Sequence, residues 1–169
     1  MKHNAKRLDK VYREQRTAVY HTALTLLKDA AAAEDVMQEV FLAYYREIER
    51  AHEVHHLKAW LLTATRNRCY NLLRDGRREE SIEYLAEVAA MPDPMTDIQQ
   101  RDTVDRAFAC LTDDERLAFS LHYLDGYTYR QIAEGLDIPM GTVQTRCRIA
   151  RKKLRTVLRK MNEREEALL

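Results

Sequence analysis

Glycine and proline are scarce, with 4 and 3 among 169 residues. That excludes collagen-like and low-complexity classes and argues against an all-β fold built on tight turns. Cysteine is scarce as well. Cys69, Cys110 and Cys147 are odd in number and widely spaced, which fits neither a disulfide framework nor a CxxC metal site. Each sits among apolar residues at helical spacing and is expected in a core. No uninterrupted apolar run approaches the ~18 residues of a membrane span. The opening MKHNAKRLDK lacks the apolar stretch of a secretory leader, so the expectation is a cytoplasmic protein without direct membrane insertion. Hydrophobic residues reach 46%, too many for a chain disordered throughout.

Net charge is also small, at +1, but the charge is segregated. Between Gln144 and Lys160 stand Arg146, Arg148, Arg151, Lys152, Lys153, Arg155, Arg159 and Lys160, with no acid among them. A second basic run holds Arg66, Arg68, Arg74, Arg77 and Arg78, broken only by Asp75. The stretch between the runs is acidic, from Glu79 and Glu80 through Asp113, Asp114 and Glu115. Such a distribution bears on partners rather than on fold.

Periodicity is helical nearly everywhere and alternation of period two is nowhere sustained, which predicts an all-α protein. One helix is expected over Leu8 to Leu27. Asp29 is positioned to cap a second, whose apolar stripe is Val36, Met37, Val40, Phe41, Tyr44 and Ile48. The pattern lapses at 53–57. A third helix is expected from Lys58 or Trp60 to Arg74, with Gly76 as its C-cap. Weak periodicity over 79–100 and the pair Pro92 and Pro94 mark a boundary. The predicted organisation is therefore two small helical domains, 1–78 and 101–169, joined by an acidic flexible linker at 79–100. A helical unit is expected to begin near Ile98 and continue past Phe108 to Leu111. Thr112 to Glu115 fits a capping box opening a helix through Tyr123, and Asp125-Gly126 reads as a turn.

The most specific signal lies between Tyr127 and Arg155. Thr128 to Gln131 is a second capping box, flanked by Tyr127 and Ile132 as a hydrophobic staple. It opens a short helix to Leu136; Asp137-Ile138-Pro139 breaks the chain, and a longer basic helix follows. This is a helix-turn-helix pattern. In the longer helix Val143, Cys147, Ala150, Leu154 and Val157 form one apolar stripe. Gly141, Gln144, Thr145, Arg148, Lys152 and Arg155 lie opposite. Gln, Thr and Arg near the start of such a helix suit base edges in a major groove, while the later cations suit phosphates.

The helix after Trp60 divides the same way. Leu62, Thr65, Cys69, Leu72 and Leu73 are expected in the core. Thr63, Arg66, Asn67, Tyr70, Asn71 and Arg74 make an opposite row with no acid. Amides, an aromatic ring and cations together are what readers of single-stranded DNA present. Two such faces on one tether suggest bivalent recognition.

Three motifs carry a family likeness. Glu34-Asp35-Val36-Met37-Gln38-Glu39-Val40-Phe41-Leu42 resembles region 2.2 of the bacterial extracytoplasmic-function (ECF) sigma factors of the sigma-70 family. Trp60-Leu61-Leu62-Thr63-Ala64-Thr65-Arg66-Asn67 resembles the start of their region 2.4. Leu136 to Val143, followed by Arg146 and Ala150-Arg151, resembles their region 4.2. The likeness spans about Leu8 to Leu158, in order.

It implies a sigma2-like bundle and a sigma4-like helix-turn-helix domain. Asp35, Gln38, Glu39 and Leu42 would dock on the β′ clamp helices of core RNA polymerase, with the β flap as a further contact. Thr63, Arg66, Asn67, Tyr70, Asn71 and Arg74, with the loop 52–57, would engage and help melt the −10 element. Gln144, Thr145, Arg146, Arg148, Arg151, Lys152 and Arg155 would read the −35 element as duplex. The acidic linker would run toward the RNA exit path, and an anti-sigma factor would regulate the chain. Three positions depart from the family pattern. Gln131 replaces a usual Glu, Asp137 a frequent Gly, and Ile149 a frequent Arg, the last removing one expected phosphate contact.

Other readings compete. His52, His55 and His56 have no cysteine nearby, and a metal site is not expected. Glu34, Asp35 and Glu39 fit helix N-terminal acids better than a nuclease centre. With no P-loop, G-x-S-x-G or Cys/His nucleophile pattern, neither a cofactor nor catalysis by the isolated chain is expected. A dimeric helix-turn-helix regulator would bind duplex without polymerase. A polymerase-binding decoy would be indifferent to loss of Arg148 or Asn67.

Overall fold

The computed structural model describes residues 2–76 and 107–166. Six helices stand in order: α1 Lys2–Leu27, α2 Ala30–Glu49, α3 Leu57–Gly76, α4 Asp113–Phe119, α5 Tyr129–Leu136 and α6 Met140–Glu166. There is no strand among the described residues. The predicted linker, Arg77, Arg78, the helix start expected near Ile98 and the start of the second domain at 101 lie outside them.

The N-terminal module is a three-helix bundle. Helix α1 begins before Leu8, because His3 to Arg7 contains good helix formers but no apolar stripe for periodicity to register. Lys28, at φ 58°, turns the chain out of α1, and Asp29 caps α2 by accepting a 2.9 Å hydrogen bond from the Ala32 amide. The expected α2 stripe is buried throughout, against Val19, Tyr20 and Leu61. Tyr12 and Phe41 meet edge to face at 4.9 Å. The buried Thr22 and Thr65 hydroxyls donate to the carbonyls of Ala18 and Leu61, both at 2.7 Å, so neither enters the core unsatisfied.

Both predicted capping boxes of the C-terminal module form. The Thr112 hydroxyl accepts from the Glu115 amide and the Glu115 carboxylate from the Thr112 amide; Thr128 and Gln131 do the same. Where α4 was expected to continue through Tyr123, it widens into a π-helical turn at Ser120–Leu124. Gly126, at φ 68°, completes the turn. Asp137 ends α5 in the left-handed region at φ 56°, in the place of the family's glycine. Pro139 precedes α6, and its carbonyl accepts from the amides of Thr142 and Val143 at 2.9 and 3.3 Å. The α6 stripe Val143, Cys147, Ala150 and Leu154 is buried, with Val157 packed beside it.

Three expectations need correction. Leu73 is 40% exposed rather than in the core. It lies three residues from Tyr70 as well as four from Cys69, so periodicity alone left its face ambiguous. Gly76 is the last residue of α3, without the positive φ of a C-cap. Cys110 is only half-buried, its thiol directed at the Ala107 carbonyl.

The two modules share a core. Ala18 and Leu62 from the N-terminal bundle belong to the same buried cluster as Leu117, Ala118, Leu121, Tyr127, Ile132, Val143 and Cys147. Helix α3 packs along α5 and α1 touches α4.

Candidate nucleic-acid interface

Helix α6 is fixed by its buried stripe and presents the other side to solvent. Gln144, Thr145, Arg148, Arg151, Lys152 and Arg155 are all exposed. Gln144, Arg148, Arg151 and Arg155 follow at spacings of four, three and four, which places them in one row. No ion pair engages Arg148, Arg151, Lys152 or Arg155 among the described residues. A β-carbon at Gly141, one residue into the helix, would meet nothing within 4 Å, so the helix start is open to close approach. Arg146 differs. It is half-buried on the flank of the row, and its guanidinium donates to Asp114 at 2.7 Å. Lys153 also points inward, pairing at 2.7 Å with Glu115, whose carboxyl it holds below the usual range.

Helix α3 brings Asn67, Tyr70, Asn71 and Arg74 together on an exposed face. Tyr70, Asn71, Leu73 and Arg74 line an open depression of about 420 Å³. A planar ring, an aliphatic side chain, an amide and a guanidinium around one depression can stack and hydrogen-bond an unpaired base. Thr63 and Arg66 differ from this group in being half-buried. Arg66 donates to the Gly135 carbonyl at 3.1 Å and to Asn67 Oδ1 at 3.2 Å. The loop 52–57 before α3 carries a left-handed His56 and the pair His52–Glu47 at 3.0 Å.

On α2, Asp35, Gln38, Glu39 and Leu42 share one solvent face at spacings of three, one and three. Leu42, an apolar side chain, is 55% exposed. Glu39 is ion-paired with Arg68 of α3, which ties this face to the helix carrying the −10 candidates.

Four exposed apolar side chains, Leu73, Tyr123, Leu124 and Met140, were not assigned to a functional face from the sequence. Met140, first in α6, is 49% exposed, and Leu73 lines the α3 depression. Tyr123 and Leu124 are exposed on the π-helical turn, whose altered period hid their orientation. Lys58 could have been suspected only from three-dimensional packing. It donates to the carbonyls of Asp125 and Gly126 at 3.2 and 2.9 Å and lies 4.7 Å from the centre of the Tyr127 ring. The thiols take no part. Burial pushes Cys69 and Cys147 up to about 11, leaving them protonated and unreactive at neutral pH. No group of His, Cys, Asp and Glu able to hold a metal occurs among the described residues.

A helix-turn-helix behind a three-helix bundle, with a polar acid-free face on each, is the architecture of the sigma-70 class, and sequence comparison agrees. Residues 11–79 match Sigma-70 region 2 and residues 101–154 match Sigma-70, region 4. The chain belongs to the ECF sigma factors of the sigma-70 family. It is 30% identical over 157 residues to the ECF RNA polymerase sigma factor SigL of Mycobacterium tuberculosis, covering 89% of this chain and 88% of SigL. To SigK of Mycobacterium bovis it is 28% identical over 161 residues, covering 87% and 83%. The sigma factor RpoE in complex with the anti-sigma factor NepR from Bartonella quintana superposes with a TM-score of 0.66 at 25% identity, covering 91% of this chain and 98% of RpoE. CnrH in complex with the cytosolic domain of CnrY shares the fold, with a TM-score of 0.55 at 18% identity, covering 92% and 90%. No described helix is long and apolar enough to cross a membrane.

Proposed function

We propose that the chain binds core RNA polymerase and directs it to promoters by reading two separated DNA elements. The observation that carries the reading is the pair of acid-free polar faces on α3 and α6, one in each module. Exposed Gln144, Thr145 and Arg148 lie at the start of α6, where a recognition helix reaches base edges. Arg151, Lys152 and Arg155 continue along the row toward the phosphates of a −35 duplex. Arg146, tied to Asp114, acts as a flank that orients the helix and supplies charge near the backbone.

The α3 face serves the −10 element differently. Tyr70, Asn71 and Arg74 border an open depression that offers an unpaired base a ring to stack on, and Asn67 is exposed on the same helix. Extruding a base from the stack costs a few kcal/mol. Binding of the unpaired strand to this face and to polymerase supplies that energy, since the sequence carries no nucleotide-hydrolysing motif. Asp35, Gln38, Glu39 and Leu42 form the polymerase-docking face, with exposed Leu42 as its apolar anchor. The segment 79–100 supplies the acidic tether. Regulation by an anti-sigma factor accords with the complex of RpoE with the anti-sigma factor NepR.

Leu42→Arg tests this directly. The wild-type chain should be retained by immobilised core polymerase and the resulting holoenzyme should footprint two blocks of promoter DNA. The variant should keep its helicity and lose retention. Equal retention of both proteins would refute the α2 docking face, and a footprint without polymerase would favour an independent regulator.

A further inference from the structure

Arg68 belongs to the basic run of α3 but to neither reader face, and its partner is a member of the α2 face. Its Nη2 donates to Glu39 Oε1 at 2.9 Å, while its Nε faces Glu39 Oε2. The guanidinium thus meets both carboxylate oxygens, a fork that fixes orientation as well as charge. Arg68 Nε is shut off from solvent, although the two side chains as wholes are 40% and 46% exposed.

The other ion pairs within the N-terminal bundle are local. Arg13–Asp9 and Arg50–Glu47 each lie close in sequence on one helix, His52–Glu47 closes the end of α2, and Arg74–Asp75 joins neighbours. Among the described residues, Arg68–Glu39 alone links two helices of that bundle, across 29 positions. The two acids of the α2 face therefore differ. Asp35, one turn before Glu39, is in no ion pair among the described residues, whereas Glu39 is gripped by Arg68. Leu42, three residues after Glu39, is exposed beside it. A partner that covers Leu42 must also desolvate Glu39, and a lone carboxylate is expensive to bury. Joined to Arg68, it is neutralised before the partner arrives.

We propose that Arg68 is a positioning residue for polymerase docking. It holds the Glu39 carboxylate in a preformed neutral fork, so that the two side chains are buried together against core polymerase while Asp35 meets a cation of the polymerase. The proposal rests on the reading of the α2 face as the docking surface. The competing arrangement is an exchange, in which a polymerase cation takes Glu39 away from Arg68. The geometry favours the fork, because exchange would strand the buried Arg68 Nε without the acid it faces.

Affinity of the full chain for immobilised core RNA polymerase separates the two arrangements, with helicity checked by circular dichroism. Arg68→Met and Glu39→Gln should each weaken binding at least tenfold, since each leaves half of the fork to be buried alone. The double variant should bind more tightly than either single variant, the mark of a pair that acts as a unit. Arg68→Lys, which keeps the charge and loses the fork, should fall between wild type and Arg68→Met; it decides the matter if Arg68→Met loses helicity. Asp35→Asn should instead slow association and flatten its dependence on salt. Unchanged or tighter binding by Arg68→Met, or a double variant as weak as Glu39→Gln, would overturn the fork. So would single variants with a lowered urea midpoint and wild-type affinity, which would reduce the pair to a brace of the bundle. A wild-type chain not retained by core polymerase would refute the docking reading itself, and the proposed role of Arg68 with it.

Discussion

The two reader faces are alike in composition and unlike in how they are held. On α6, Arg148, Arg151, Lys152 and Arg155 are exposed and in no ion pair among the described residues, along a helix anchored by Val143, Cys147, Ala150 and Leu154. On α3, Arg66 is bonded to Gly135, Arg68 to Glu39, and Arg74 lies 3.7 Å from Asp75. Exposed there are Asn67, Tyr70, Asn71 and Arg74, and the last three line an open depression. Free cations on a convex helix suit the regular phosphate spacing of duplex DNA, with binding that weakens as salt rises. An aromatic ring and amides beside a depression suit bases that have left the stack.

The comparison can be broken first at the shared core. Ile132 is fully buried between the modules, and Ile132→Ala should cost about 2–5 kcal/mol, measured by urea unfolding. If the core is shared, probes in both modules report the same lowered midpoint. A midpoint lowered only in the C-terminal module would show that the halves unfold independently.

The next test separates the faces. Tyr70→Ala should lose about 1–3 kcal/mol of binding to unpaired −10 strand within the holoenzyme. Its binding to the −35 duplex should be unchanged. Arg148→Ala should do the reverse, losing about 1–3 kcal/mol of discrimination between the duplex selected by the wild-type protein and a scrambled one. Equal losses on both duplexes would remove Arg148 from base reading. Lys152→Ala should have a smaller, sequence-independent effect and reduce the slope of log affinity against log salt by about one contact. An unchanged slope would argue that Lys152 touches no phosphate.

A titration at the junction tests the shared core independently of DNA. Burial raises the Asp125 carboxyl to about 6, against the opposing attraction of Lys58. The packed state therefore disfavours the carboxylate. Its packing is strongest with the acid protonated, and this contribution is lost as pH rises from the unfolded value near ~4 through about 6. Asp125→Asn should match wild type near pH 4 and be more stable above pH 6. His21, lowered by burial and by Arg116, titrates in the opposite sense in both proteins and drops out of the difference. A difference that does not grow with pH would show that Asp125 is not desolvated in the packed chain.

Much of the local structure was legible in the sequence. Thr112–Glu115 and Thr128–Gln131 announced two helix starts, because a capping box is a short-range device whose partners lie three residues apart. The stripes of α2 and α6 announced their buried faces, and Asp137 took up the left-handed turn expected of it. The helical register likewise put most of the reader candidates in solvent. Three features were not legible. The π-helical turn at Ser120–Leu124 carries no proline or glycine, and it rotates Tyr123 and Leu124 away from the helical register. Leu73 satisfies the spacing of either face. The seating of Leu62 on Gly135, and with it the engagement of Arg66, joins residues about seventy positions apart, beyond the reach of any local pattern.

The account stands on the chain conferring start-site choice on a polymerase that lacks it, and mapping of transcript 5′ ends tests that claim most directly. Core RNA polymerase on genomic DNA should initiate, in the presence of this protein, at a discrete new set of positions sharing two short upstream sequence blocks, one lost with Arg148→Ala and the other with Tyr70→Ala. Identical 5′ ends with and without the protein would contradict it.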